Sequence, residues 1–144
     1  MPLKDGHRGA PLRETHTTGS VGGDNARMVG NIEHAPVALW TADALRRESK
    51  GQEWLEFLRV RAMSGGIYVL EAGAADLQTP HTEDEVYVVL SGHCRFAANE
   101  QVLEVGPGDT LFVAANLEHR FIDIDERVEF LVFFAPAEGT VSVQ

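Results

Sequence analysis

A single cysteine, Cys94, occurs in 144 residues, so no disulfide can close within the chain. Burial and hydrogen bonding must hold the fold, and one thiol suits a reducing compartment. Basic residues are scarce as well: 12 Lys and Arg against 22 Asp and Glu leave a net charge of −10. A nucleic-acid surface needs clustered cations facing phosphates, and the short groups Arg46-Arg47 and Arg59/Arg61 do not supply one. No apolar run nears the roughly 20 residues of a membrane helix. The opening residues lack the apolar core of a secretory signal. Nucleic acid and membrane are therefore not expected partners, and a cytoplasmic protein is expected.

What remains is an ordinary globular composition, 44% hydrophobic and 24% charged, of a length that fits one domain. Residues 1–28 are polar, rich in Gly, Thr and Arg, and show no apolar periodicity. Such a segment buries too little surface to offset its ordering entropy. The expectation is a disordered or partner-ordered N-terminal arm over 1–28, with His7 and His16 solvated in it, and a single domain over 29–144. Val37–Trp40 reads as a short apolar strand. Thr41 can cap a brief helix over Ala42–Glu48, with Asp43 favourable in its first turn. Beyond it the pattern is almost all β: Trp54–Val60, Gly66–Glu71, Glu85–Leu90, Cys94–Ala98, Val102–Val105, Thr110–Val113, His119–Ile124 and Val128–Phe134. Turn residues separate them, among them Ser91-Gly92, Asn99-Glu100 and Gly106-Pro107-Gly108-Asp109. Many short strands without intervening helices predict an all-β sandwich or barrel.

Chemistry concentrates between Thr79 and Gly92. Glu85 opens a strongly apolar strand and should enter a buried face, where an unpaired carboxylate costs several kcal/mol unless it is protonated or meets a cation. His81 lies four residues upstream, about 13 Å away along a straight strand and too far to share an ion with Glu85. The two converge only if the chain reverses at Thr82-Glu83-Asp84, with His81 ending one strand and Glu85 beginning the next. A working metal site keeps about three protein ligands and open positions. His119, after a polar bend at Ala114–Glu118, is the best third ligand.

These residues resemble the cupin superfamily. Its first motif has Gly, five residues, His-x-His, three or four residues, Glu, six residues and Gly; Gly73, His81, Glu85 and Gly92 fall at those positions, with Thr79 in place of the first histidine. Its second motif is matched by Gly108 and His119, with Ala114, Asn116 and Asp123 where the family has Pro, Gly and Asn. Asn is a reasonable stand-in for Gly because it tolerates left-handed backbone better than most residues. The resemblance spans roughly Met63 to Pro136. It implies a jelly-roll barrel of two antiparallel sheets, often dimeric, with ligands pointing into the barrel. His81, Glu85 and His119 would hold a divalent ion (Fe, Zn, Mn or Ni), and Gln78, Thr79 or Glu83 would complete the ligand set or touch substrate.

Among the other residues, Glu83 and Tyr87 are the nearest acid–base candidates, although a corner carboxylate is more simply solvated and a strand tyrosine more simply core. Arg59 and Arg61 are expected to share a strand face that could meet a substrate carboxylate. His34 and His93 read as ordinary polar residues, and Cys94 as a small buried hydrophobe. Trp40, Trp54, Phe57 and Phe121 read as core, and Asp123 as support for the bend after His119. The resulting expectation is a metal-dependent enzyme acting on a small organic molecule inside the barrel. Its chemistry would be dioxygenase-like or that of a Lewis-acid cyclase or isomerase, with a homodimer as its assembly. The alternative is a non-catalytic cupin module that binds a sugar or other small molecule.

Overall fold

The computed structural model describes residues 36–141. The arm over 1–28, His7, His16 and His34 therefore lie outside the described residues. One helix, α1 (Ala42–Ser49), precedes eight strands: β1 (Trp54–Val60), β2 (Met63–Leu70), β3 (Asp84–Ser91), β4 (Cys94–Ala98), β5 (Gln101–Val105), β6 (Thr110–Val113), β7 (His119–Ile122) and β8 (Val128–Ala135). They form a five-stranded sheet in the order β1-β2-β8-β3-β6 and a three-stranded sheet in the order β5-β4-β7. Every strand pair is antiparallel. No helix is long and apolar enough to cross a membrane among the described residues.

The period of two along a strand decides which side chains enter the barrel. On β3, Glu85, Tyr87 and Val89 are buried while Val86, Val88 and Leu90 are only half-buried. Glu85 therefore shares its face with the core tyrosine Tyr87. On β8, Val128, Phe130, Val132 and Phe134 point the same way. From the small sheet, Phe96 of β4 and Phe121 of β7 meet them. Phe121 stacks on Phe130 at 4.2 Å between ring centroids and stands edge-on to Tyr87 at 4.9 Å. This aromatic plug fills the middle of the barrel and leaves polar side chains near one end.

Helix α1 seals the outer face of β1 and β2. Thr41 Oγ1 accepts from Ala44 N at 3.1 Å, and Lys50 closes the helix in the left-handed region. Leu45 packs against Phe57, Ile67 and Val69 in a second apolar cluster. Arg46 Nε donates to both oxygens of buried Glu129 on β8, at 3.0 and 3.1 Å.

Two sequence expectations fail here. Val37–Trp40 is not a strand: Val37 and Leu39 are exposed, and only Trp40 packs inward, against Phe57 at 5.0 Å. Apolar composition cannot make a strand without a neighbour for its ladder, and no described strand pairs with this segment. Arg59 and Arg61 share no strand face, because Arg61 lies in the turn between β1 and β2. Arg59 donates to Glu56 and to the Glu138 carbonyl.

Candidate metal centre

Two loops deliver the histidines. Residues 74–81 form no strand, so His81 leaves a loop and does not end a strand as the sequence led us to expect. Bends at Thr82 and Glu83 then feed the chain into β3, which is the reversal that lets His81 and Glu85 approach. The second loop, Ala114–Glu118, is stitched to the first: Asn116 N donates to His81 O at 2.6 Å, and Ala115 N donates to Asp84 Oδ1 at 2.9 Å. Asn116 has φ 64, the left-handed conformation for which the sequence substitutes Asn for Gly. His119 opens β7 directly after this loop and reaches across the barrel from the small sheet to Glu85 on the large one.

The three side chains converge. Glu85 Oε1 lies 3.0 Å from His119 Nε2, and Glu85 Oε2 lies 3.6 Å from His81 Nε2. One ligand atom from each of the three residues falls within 4.8 Å of the others. Glu85 is 1% exposed and His119 is 5% exposed. Neither oxygen of Glu85 has a hydrogen-bond partner.

Proton counting explains how a 3.0 Å approach leaves the carboxylate unsatisfied. His119 Nδ1 donates to the Leu117 carbonyl at 2.8 Å, so in the neutral ring Nε2 carries a lone pair. Tyr87 has one hydroxyl proton and donates it to Gln78 Oε1 at 2.7 Å. Its oxygen therefore meets His119 Nε2, 3.1 Å away, without a proton to offer. The site is a convergence of lone pairs around a buried carboxylate, and such a convergence calls for a cation. Burial pulls the His119 pKa down, but Glu85, the Leu117 carbonyl and Asp76 outweigh it and raise the value above the ordinary histidine range. A proton or a metal ion can satisfy the same lone pairs. Two imidazoles and one carboxylate suit a divalent transition metal, and the residues present fit that group.

Tyr87 lies within this cluster, and burial together with the Glu85 charge pushes its pKa far up, so it stays a neutral phenol. Gln78 also enters the cluster, with Oε1 3.5 Å from His81 Nε2. Thr79 lies exposed, outside the cluster. Glu83 is neither solvated nor part of the cluster. It is 2% exposed, and its Oε1 accepts from Thr82 Oγ1 and from Gly139 N, both at 2.9 Å. The segment after β8 folds back over Glu83 and covers it. Cys94 is buried, and His93 is exposed and paired with Glu126 at 2.9 Å.

Beside the cluster opens a cavity of about 170 Å³, walled by Trp54, Tyr68, Val132 and Phe134 with Gln78, Tyr87 and Glu138 at its polar side. Glu138 was not singled out in the sequence. It follows β8, is fixed by Glu138 N donating to Ser64 Oγ at 2.9 Å, and brings Oε1 to 4.0 Å from His81 Nδ1. Burial, then Glu56 and Glu83, raise its pKa above the ordinary carboxylate range against the pull of His81 and Arg59. Asp76 was also missed. It is a buried carboxylate accepting from Tyr68 Oη at 2.8 Å, Phe121 N at 2.8 Å and Gln78 Nε2 at 2.9 Å. Its only sequence signal is a lone acid in the stretch Ala74-Ala75-Asp76-Leu77.

Comparison with known proteins agrees with this geometry. A family model described as a cupin domain matches residues 66–134, which include all three converging side chains. An uncharacterized protein of Streptomyces coelicolor is 40% identical over 93 residues, covering 65% of this chain and 89% of that protein. A protein named acireductone dioxygenase, from Exiguobacterium sibiricum, is 33% identical over 69 residues, covering 44% of this chain but only 38% of that protein. Among solved structures, a cupin family protein with a double-stranded β-helix fold from Methanocaldococcus jannaschii superposes with a TM-score of 0.53 at 16% identity, covering 58% of this chain and 78% of that one. On its fold, its motif spacing and these matches, the chain belongs to the cupin superfamily.

Proposed function

We propose that this cupin is a metal-dependent enzyme acting on a small organic molecule in the barrel cavity, with His81, Glu85 and His119 holding a divalent ion. The observation that carries the reading is Glu85, fully buried with both oxygens unpartnered between two imidazoles. A fold keeps such a carboxylate only where something positive offsets its desolvation. Bound there, the ion would offer open positions for oxygen and a chelating substrate, or Lewis acidity toward a carbonyl.

The chain's own residues do the rest. Trp54, Val132 and Phe134 exclude water and receive the apolar part of a substrate. Tyr87 remains a phenol and, by donating its proton to Gln78 Oε1, holds that amide at the site. Glu138, at the edge of the cavity with a raised pKa, is the carboxyl placed to hold or release a proton. Glu83 is committed to Gly139 and takes no such part. The two-histidine, one-carboxylate set and the partial likeness to a protein named acireductone dioxygenase support an oxygen-dependent reaction at iron or a similar ion. Glu138 supports the second reading, a non-redox cyclase or isomerase, because proton transfer beside a Lewis acid needs such a group. We also propose that the assembly is a homodimer, for which sedimentation equilibrium should return twice the chain mass.

Elemental analysis of protein purified without added metal tests the function. About one redox-active ion per chain, with oxygen uptake on a chelating substrate, supports the oxygenase. About one zinc per chain with no oxygen uptake supports the cyclase or isomerase. Absence of metal both as purified and after reconstitution overturns both and leaves a small-molecule or sugar-binding module.

A further inference from the structure

The family motif places a histidine where this chain has Thr79, and that residue lies exposed. Its neighbour Gln78 turns inward. We propose that Gln78 supplies the fourth protein ligand through its amide oxygen. Asp76 is the positioning residue that keeps the oxygen, and not the nitrogen, facing the ion. This rests on the metal-centre reading above.

A glutamine amide can present either end, and its surroundings decide which. Here Asp76 decides. Its Oδ1 accepts from Tyr68 Oη and Gln78 N, and its Oδ2 from Phe121 N and Gln78 Nε2. A carboxylate only accepts, so the amide NH₂ must face it; a flipped amide would set oxygen against oxygen at 2.9 Å. The amide oxygen is thereby pointed at the cluster. One of its lone pairs takes the Tyr87 proton at 2.7 Å, and the oxygen also faces His81 Nε2 at 3.5 Å.

The spacings come within a few tenths of an ångström of those around a shared ion. Two atoms bound to one ion at about 2.1 Å lie about 3.0–3.4 Å apart at right or tetrahedral angles. The observed separations are 3.0 Å for Glu85 Oε1 to His119 Nε2, 3.6 Å for Glu85 Oε2 to His81 Nε2 and 3.5 Å for Gln78 Oε1 to His81 Nε2, the last two slightly longer than that range. Glu83, the other carbonyl-bearing candidate near the motif, is held by Thr82 and Gly139. Replacing a neutral imidazole by a neutral amide leaves the charge of the site unchanged and exchanges a nitrogen ligand for a harder oxygen. That exchange shifts preference toward manganese.

Titration of the chelator-treated full chain with Co²⁺, read by its visible absorption and by competition with a chelating dye, tests the assignment. Gln78→Ala and Gln78→Met, which keeps the length without the oxygen, should each weaken binding at least roughly tenfold and alter the absorption bands. Asp76→Asn, which frees the amide to flip, should weaken binding by roughly 10- to 100-fold. Thr79→Ala should match the wild type in affinity and bands. Wild-type affinity and bands in both folded Gln78 variants, with binding lost in His119→Ala, would remove Gln78 from the ligand set and leave the three-residue centre standing. Failure of the wild-type chain to take up Co²⁺ would overturn the metal centre and this assignment together.

Discussion

At the scale of single residues, Glu85 sets the proposed metal-binding role against stability. While His119 is neutral, the Glu85 carboxylate is buried without a hydrogen-bond donor, which costs the metal-free fold on the order of several kcal/mol. Glu85→Gln removes the charge at nearly constant shape. The metal-free variant should therefore melt above the metal-free wild type, by roughly 1–3 kcal/mol in stability. Added metal should raise the melting temperature of the wild type and leave that of the variant unmoved. Calorimetry of both chains with and without chelator checks this; a destabilised variant would mean that Glu85 is already satisfied. His81, Glu85 and His119 were legible in the sequence because motif spacing and an acid opening an apolar strand mark them. Gln78 was legible as a candidate, but Asp76 and the amide orientation it sets were not, because Asp76 is itself held by Phe121, 45 residues away. Glu138 was invisible because only the folded-back segment after β8 brings it to His81, and the same segment buries the Glu83 that the sequence placed in solvent.

At the scale of elements, α1 depends on a polar anchor as much as on Leu45. Glu129 on β8 accepts from Ser91 Oγ at 2.6 Å and from Arg46, with Arg127 at 3.5 Å. Burial pushes its carboxyl pKa up, but Ser91, Arg46 and Arg127 outweigh burial and hold it below the ordinary range. Because the folded-state pKa is depressed, the stabilisation is complete above the unfolded carboxylate value of about 4.3 and is lost as pH falls through the lower folded value. Arg46→Ala should cost roughly 1–3 kcal/mol at neutral pH. Part of that difference from the wild type should vanish in acid, where Glu129 takes a proton. Urea denaturation of both chains at pH 7 and pH 3 checks it, and an equal difference at both values would contradict it. Most elements were legible because alternation and turn residues act locally. The early end of β7 at Ile122 was not foreseen; it follows from Asp123, which adopts φ 54. Val37–Trp40 was misread because strand formation needs a partner that composition cannot reveal.

At the scale of the whole molecule, the barrel was legible as many short strands without helices, but the order of its sheets was not. Strand β8 lies between β2 and β3, a long-range pairing that depends on the closure of the whole chain. That closure sets Glu85 on one sheet against His119 on the other, so the centre exists only in the folded barrel. Diffraction from crystals grown with Co²⁺ or Zn²⁺, recorded at the metal's absorption edge, tests this arrangement most directly. One anomalous peak per chain should appear about 2.0–2.2 Å from His81 Nε2, from His119 Nε2 and from a Glu85 oxygen. No peak there at saturating metal, or a peak only at surface carboxylates, would contradict the account.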